Sequence, residues 1–235
     1  MVGCADQRPA ADSLLIGANA DLTTLLTRLA RRYEAENPGL RVEISFAASG
    51  VLRTQAQYGA PFDAIIVAAP DFLDGVTGVA SPVSLAHGEL AIYGDDPPKS
   101  LDGLRRSSGR IAIASPKTAP FGRAAIELLR SQTWFPEAEA RLAILADVRQ
   151  AKVAVDTGAA EFALVSLTQA KEGPKAFTRL GPHPSLALTA LALNSGRAER
   201  FLDWLREPAQ QAEFAEAGLR PAAPGDAGRR ESQRE

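Results

Sequence analysis

Residues 14–50 read LLIGANADLTTLLTRLARRYEAENPGLRVEISFAASG, and this stretch decides the fold. Leu14, Leu15 and Ile16 make a short apolar run closed by Gly17, the length and flanking of a buried strand. Leu22, Leu25, Leu26, Leu29 and Tyr33 then recur at helical spacing until Asn37-Pro38-Gly39 stops them. Residues 41–46 (RVEISF) alternate as a strand does, and 51–58 predict a second helix. Strand–helix–strand order of this kind implies an open, mostly parallel sheet flanked by helices.

The same grammar continues outward. Residues 63–68 (DAIIVA) form a buried strand after the turn Gly59-Ala60-Pro61, and 71–73 begin a short helix. Strands are expected at 89–93 (ELAIY), 110–114 (RIAIA) and 162–165 (FALV), and the turn Asp95-Asp96-Pro97-Pro98 follows the first of them. Helices are expected at 101–106, 122–131, 197–206 and 209–217, with another opened by Asp147 and running to about Thr157. The apolar run 186–193 (LALTALAL) reads as a strand returning to the first half of the chain. This pattern predicts an α/β protein of two lobes, 13–89 with 188–221 and 90–187, joined near Leu90 and Leu188. Residues 1–12 read as a flexible terminus, and 222–235 (AAPGDAGRRESQRE) as a disordered tail. A ligand cleft is expected between the lobes, where carboxyl ends of strands meet amino ends of helices.

Composition narrows the function. The chain has 235 residues, 46% of them hydrophobic, and a net charge of −2. Its arginines are scattered, which argues against a nucleic-acid partner. No run of about 18 apolar residues exists to span a membrane. The lone Cys4 excludes an internal disulfide and a cysteine metal site. Val2-Gly3-Cys4-Ala5 resembles the end of a lipoprotein signal, so Cys4 is a candidate lipid anchor at a cell surface or in the periplasm; the alternative is an ordinary residue of a loose terminus. Catalytic signatures are missing: His87 and His183 stand apart beside expected turns, and there is no HExxH, nucleophile elbow or Walker loop. The chain reads as a non-enzyme without cofactor or cation site.

Four helix starts follow short strands: Ala18-Asn19-Ala20-Asp21, Ala47-Ala48-Ser49-Gly50, Ala119-Pro120-Phe121-Gly122 and Asp147-Val148-Arg149. Helix starts present unpaired N–H groups at the positive end of a dipole, so several converging on one cleft would hold an oxyanion without a cationic side chain. Asp21 is the exception, a carboxylate where an anion disfavours one. At an effective dielectric near 20, two unit charges about 4 Å apart repel by roughly 4 kcal/mol, and a dianion doubles that.

These segments, from about Leu14 to Arg220, resemble the periplasmic molybdate-binding proteins of ABC importers, which have a type II solute-binding fold. The pieces are IGANADLTTLLTRLARRYEAENPGLRVEISFAASGVLRTQ, GAPFDAIIVAA, SPKTAPFGRAAIELL, LADVRQAKVAVDTGAAEFALVS and FLDWLREPAQQAEFAEAGL, in this order. The resemblance implies a tetrahedral dianion, molybdate or tungstate, held by serine hydroxyls, helix-start N–H groups and a tyrosine hydroxyl. It implies ligand contacts from Ser49 and from the backbone N–H groups of Phe121 and Val148. The family's first serine falls on Asp21 and its tyrosine on Ser166. A membrane permease is the implied partner of a monomeric binding protein.

Asp21 has three readings. It caps the helix from Leu22; it accepts a hydrogen bond from a protonated oxyanion or small organic acid; or Asn19 takes over the ligand contact. Ser49 is expected to cap its helix and bind ligand together, and Asp147 to cap. Ser166 reaches a ligand only through closure or a bridging water, or else enlarges the pocket. Arg123 reads as solvated, the alternative being a lean over the cleft, and Arg149 as paired with a carboxylate or solvated, with ligand contact the lesser reading. Tyr58 and Tyr93 read as core or hinge packing, and Trp134 and Trp204 as core or surface packing. A cytosolic ligand-sensing domain is the alternative from another functional class.

Overall fold

The computed structural model describes residues 13–194 and 196–222. The readings of 1–12, of Cys4 and, apart from Ala222, of the tail lie outside the described residues. The chain runs β1 (Ser13–Asn19), a 3-10 turn (Ala20–Leu22), α1 (Thr23–Glu36), β2 (Arg41–Ala47), α2 (Ser49–Gln57) and β3 (Ala64–Val67). A second 3-10 turn (Pro70–Leu73) leads to β4 (Val83–Gly94), a third (Leu101–Arg106) to β5 (Ile111–Ala114), and then come α3 (Pro120–Arg130) and α4 (Phe135–Ala138). β6 (Leu142–Leu145), α5 (Val148–Asp156), β7 (Phe162–Ser166), α6 (Leu167–Glu172), β8 (Ala176–Ala192), α7 (Gly196–Leu205), α8 (Pro208–Glu216) and β9 (Arg220–Pro221) complete it.

One nine-stranded sheet has the order β2-β1-β3-β8-β4-β7-β5-β6, with β9 on β4. β1 pairs in parallel with β2 and β3, and β5 in parallel with β6 and β7. The antiparallel pair β4 and β8 joins these two triads, each of its strands pairing with one triad. Leu90 and Leu188 both lie on this pair. β1 and β3 are buried nearly throughout, as befits parallel strands covered on both faces.

α1 forms because Leu25, Leu26, Leu29 and Tyr33 share one apolar face that the core covers. It ends where Asn37 returns its side-chain amide to the Tyr33 carbonyl at 2.9 Å. Gly39, at φ +92°, then turns the chain towards β2. Tyr33, Phe201 and Trp204 pack together, with centroids of the first at 5.0 Å from each of the others, and Trp204 Nε1 donates to Glu36 at 2.8 Å. These contacts fasten α7 to α1. Trp134 and Tyr93 are buried as expected, whereas Tyr58 is 88% exposed and so is no core residue.

Two strands exceed their expected lengths. β4 begins at Val83 rather than Glu89, and β8 at Ala176 rather than 186. Pro182 and Pro184 in β8 look like strand breakers, yet Pro182 pairs with Glu89 beside register shifts in β4. His87 and His183 consequently lie on strands, not beside turns. β6 and α6 escape a sequence reading altogether. β6 is half-exposed, and α6 continues an apolar run without a visible break.

Candidate functional site

The site is built at the carboxyl ends of β1 and β3. Asn19, the last residue of β1, accepts the Ser49 hydroxyl on Oδ1 at 3.1 Å and donates through Nδ2 to Asp21 Oδ1. The Ser49 oxygen in turn accepts the Ala68 N–H at 3.1 Å. Ser49 therefore does not cap α2; Ala48 holds that position, and the serine hydroxyl bonds to Asn19 and Ala68 instead. Asn19, Asp21 and Ser49 are all buried.

Asp21 does not cap a helix from Leu22. It lies inside the 3-10 turn, α1 starts only at Thr23, and neither start has a side-chain cap. One carboxylate oxygen is held by Asn19, and the other, Oδ2, is buried with no hydrogen-bond partner among the described residues. Asp21 is 0% exposed. Burial, helped by the field of Glu172 and opposed by the Asn19 hydrogen bond, pushes its carboxyl up to about 7. The turn that carries Asp21 packs against α5 and α6 from the other triad. Gln169 Nε2 bridges the Asp21 carbonyl at 3.3 Å and Glu172 at 3.1 Å.

The remaining expected residues occupy helix starts. Phe121 and Val148 lie in the first turns of α3 and α5, buried, where helix geometry leaves the first N–H groups without intrahelical acceptors. Asp147 caps α5 by accepting the Gln150 N–H at 2.8 Å. Ser166 is buried and caps α6, accepting the Gln169 N–H at 3.2 Å. Capping was not among its expected roles.

Two further contacts bring the triads together. The Gly50 N–H at the start of α2 donates to the Thr118 carbonyl at 2.8 Å, so the protein itself takes that helix-start donor. A Cβ on Gly50 would stand 3.0 Å from Thr118 Cα, which makes glycine the residue for this approach. Arg123 of α3 is not simply solvated. Its guanidinium forks onto Asp71 at 2.5 and 2.9 Å and lies 5.2 Å from the Phe72 ring centre, holding the Asp71 carboxyl below its usual range. Arg149 is exposed.

Ala68, Thr118, Gln169 and Glu172 were not anticipated. Nothing in their local sequence marks them, because each enters through a contact with a distant segment. Hydrogen bonds join Asn19 to Asp21 and to Ser49, and Gln169, whose N–H Ser166 caps, reaches the Asp21 carbonyl, so one buried carboxyl group lies among neutral polar groups. Among the described residues no group of three or more His, Cys, Asp or Glu is placed to hold a metal ion. No helix there is long and apolar enough to cross a membrane.

Comparison with known proteins agrees with this architecture. The family described as "Bacterial extracellular solute-binding protein" matches residues 14–220. The chain is 28% identical over 227 residues to "Molybdate-binding protein ModA" of Azotobacter vinelandii, covering 88% of each. It is 26% identical over 184 residues to "Putative ABC transporter substrate-binding lipoprotein YvgL" of Bacillus subtilis, covering 72% of this chain and 70% of the relative. The solved Azotobacter vinelandii periplasmic molybdate-binding protein superposes with a TM-score of 0.79 at 26% identity, covering 89% of this chain and all of that one. With that match spanning nearly every described residue, the chain belongs to the bacterial extracellular solute-binding proteins.

Proposed function

We propose that this protein is the extracytoplasmic binding component of an ABC importer and captures a small tetrahedral oxyanion. The observation that carries the reading is the junction Asn19–Ser49–Ala68, joined through Asp21 to a turn packed on α5 and α6. Neutral N–H and hydroxyl donors gathered at strand ends and helix starts suit an oxyanion. Relatives named for molybdate binding support the same class.

On this reading the chain divides into lobes 13–89 with 188–221 and 90–187, and β4 and β8 are the crossovers. Asn19, Asp21 and Ser49 contact the ligand from one lobe, and Phe121, Val148 and Ser166 from the other. Closure on the ligand is favoured because only the closed state makes both sets of contacts. The Arg123–Asp71 pair and the Gly50–Thr118 bond then hold the lobes together. The closed monomer docks on a membrane permease, with Cys4 as a candidate lipid anchor, and no reaction is catalysed. Isothermal calorimetry with molybdate, tungstate, sulfate and phosphate at about pH 6 tests it. Saturable binding of one oxyanion per chain is expected, and no heat from any of the four overturns the reading.

A further inference from the structure

Asp21 Oδ2 is the unsatisfied atom of this site. It is fully buried, its sister oxygen is taken by Asn19, and no described residue donates to it or accepts from it. A buried polar atom left unpaired costs about 1–3 kcal/mol, so a native position of this kind calls for a partner. The chain Ala68 N–H to Ser49, Ser49 to Asn19 and Asn19 to Asp21 orients every donor in one direction, ending at this carboxyl group.

Among the described residues the surrounding charges offer Asp21 no compensation. From α6, Glu172 acts on it with the same sign. Lys152 of α5 and Arg28 of α1 act on Glu172, and Lys152 is bonded to Asp156 at 2.6 Å. On β2, Arg41 pairs with Glu34, and Glu43 is exposed. From α5, Arg149 is exposed, and Lys171 of α6 donates to the Glu216 carbonyl.

Resting on the proposed oxyanion function, we infer that the bound state holds one proton between Asp21 Oδ2 and a ligand oxygen. A fully ionised dianion is captured only together with a proton from solvent, whereas an acid oxyanion or an organic acid brings its own. For a dianion with a solvent proton and for an acid oxyanion the balance is the same: carboxylate, dianion and one proton give a single O–H···O contact and a net charge of −2, whereas a neutral organic acid gives that contact at −1. Without that proton the pair is a carboxylate facing an anion, which Coulomb repulsion disfavours. Asp21 is thus the residue that selects ligand by protonation state.

Calorimetry of the full chain with molybdate, a dianion above about pH 6, tests this in two buffers of different ionisation heat. Uptake of one proton per molybdate is expected at about pH 8.5. Affinity should fall tenfold per pH unit above about pH 7, since each complex consumes one proton. Asp21→Ser, which supplies a neutral hydroxyl, should bind molybdate with no proton uptake and a flat profile. Binding by the wild type without proton uptake and with a flat profile overturns the inference while leaving the oxyanion function intact. If neither protein binds any of the four oxyanions at about pH 6, the function itself fails. Should Asp21→Ser not fold, the wild-type proton count decides alone.

Discussion

Replacing Asp21 by asparagine removes the titrating group while keeping an oxygen for Asn19, and its effect on stability can be worked from the structure without any ligand. Asp21 ionises at the ordinary value of 3.8 in the unfolded chain and at about 7 in the folded protein. Between those values the folded state holds a proton that the unfolded state has released. Wild-type stability therefore falls as pH rises from about 4 to 7, by about 1.4 kcal/mol per pH unit, and levels off above. The whole span amounts to about 4 kcal/mol, a melting shift of roughly 10 °C for a chain of this size. Asp21→Asn lacks this dependence, so the variant should gain on the wild type across the same window and be the more stable protein at pH 8. Urea denaturation of both proteins at half-unit steps from about pH 4.5 to 8.5 measures the difference, in which titrations common to both cancel. Curves that stay parallel across the window would refute the assignment of a buried, desolvated carboxyl to Asp21.

Two further substitutions probe the frame around it. Ser49→Ala strips the Ala68 N–H of its acceptor and Asn19 Oδ1 of its donor, so a loss of roughly 1–3 kcal/mol is expected in urea denaturation, with at least a tenfold loss of oxyanion affinity by calorimetry. A loss below about 0.5 kcal/mol with unchanged affinity would contradict the bonded junction. Gly122→Ala would put a Cβ 2.2 Å from the Ala114 carbonyl oxygen, so the first turn of α3 must move away from β5. A cost of about 1–3 kcal/mol follows from the overpacking, and displacement of the Phe121 N–H should weaken oxyanion binding; an unperturbed denaturation midpoint would show that α3 sits elsewhere.

Much of the fold was legible from local pattern. Leu14 to Ile16, the Leu25–Leu26–Leu29–Tyr33 face and the run of 63–68 all became the expected elements, because each buries an apolar face whose period the chain itself displays. The cap at Asp147 was equally local, resting on a bond to an N–H three residues away. The same logic misassigned Asp21 and Ser49. Both have the residue types and positions of caps, but Ser49 is claimed by Asn19 and Ala68 from other segments, and Asp21 turns back onto Asn19 while the packed fold buries its second oxygen.

The order of apolar runs and turn residues was thus enough to determine an α/β chain with helix starts at strand ends, since hydrophobic periodicity is a property of neighbouring residues. Tertiary structure alone decided that β4 and β8 run long enough to join the triads. It also decided that Ser49 bonds Asn19 thirty positions earlier and that Gln169 reaches the Asp21 carbonyl 148 positions away. A polar side chain's role depends on which distant groups exclude water from it and which remain to bond it. For Asp21 that environment, and with it the tendency of the carboxyl to hold a proton, exists only once the chain has folded.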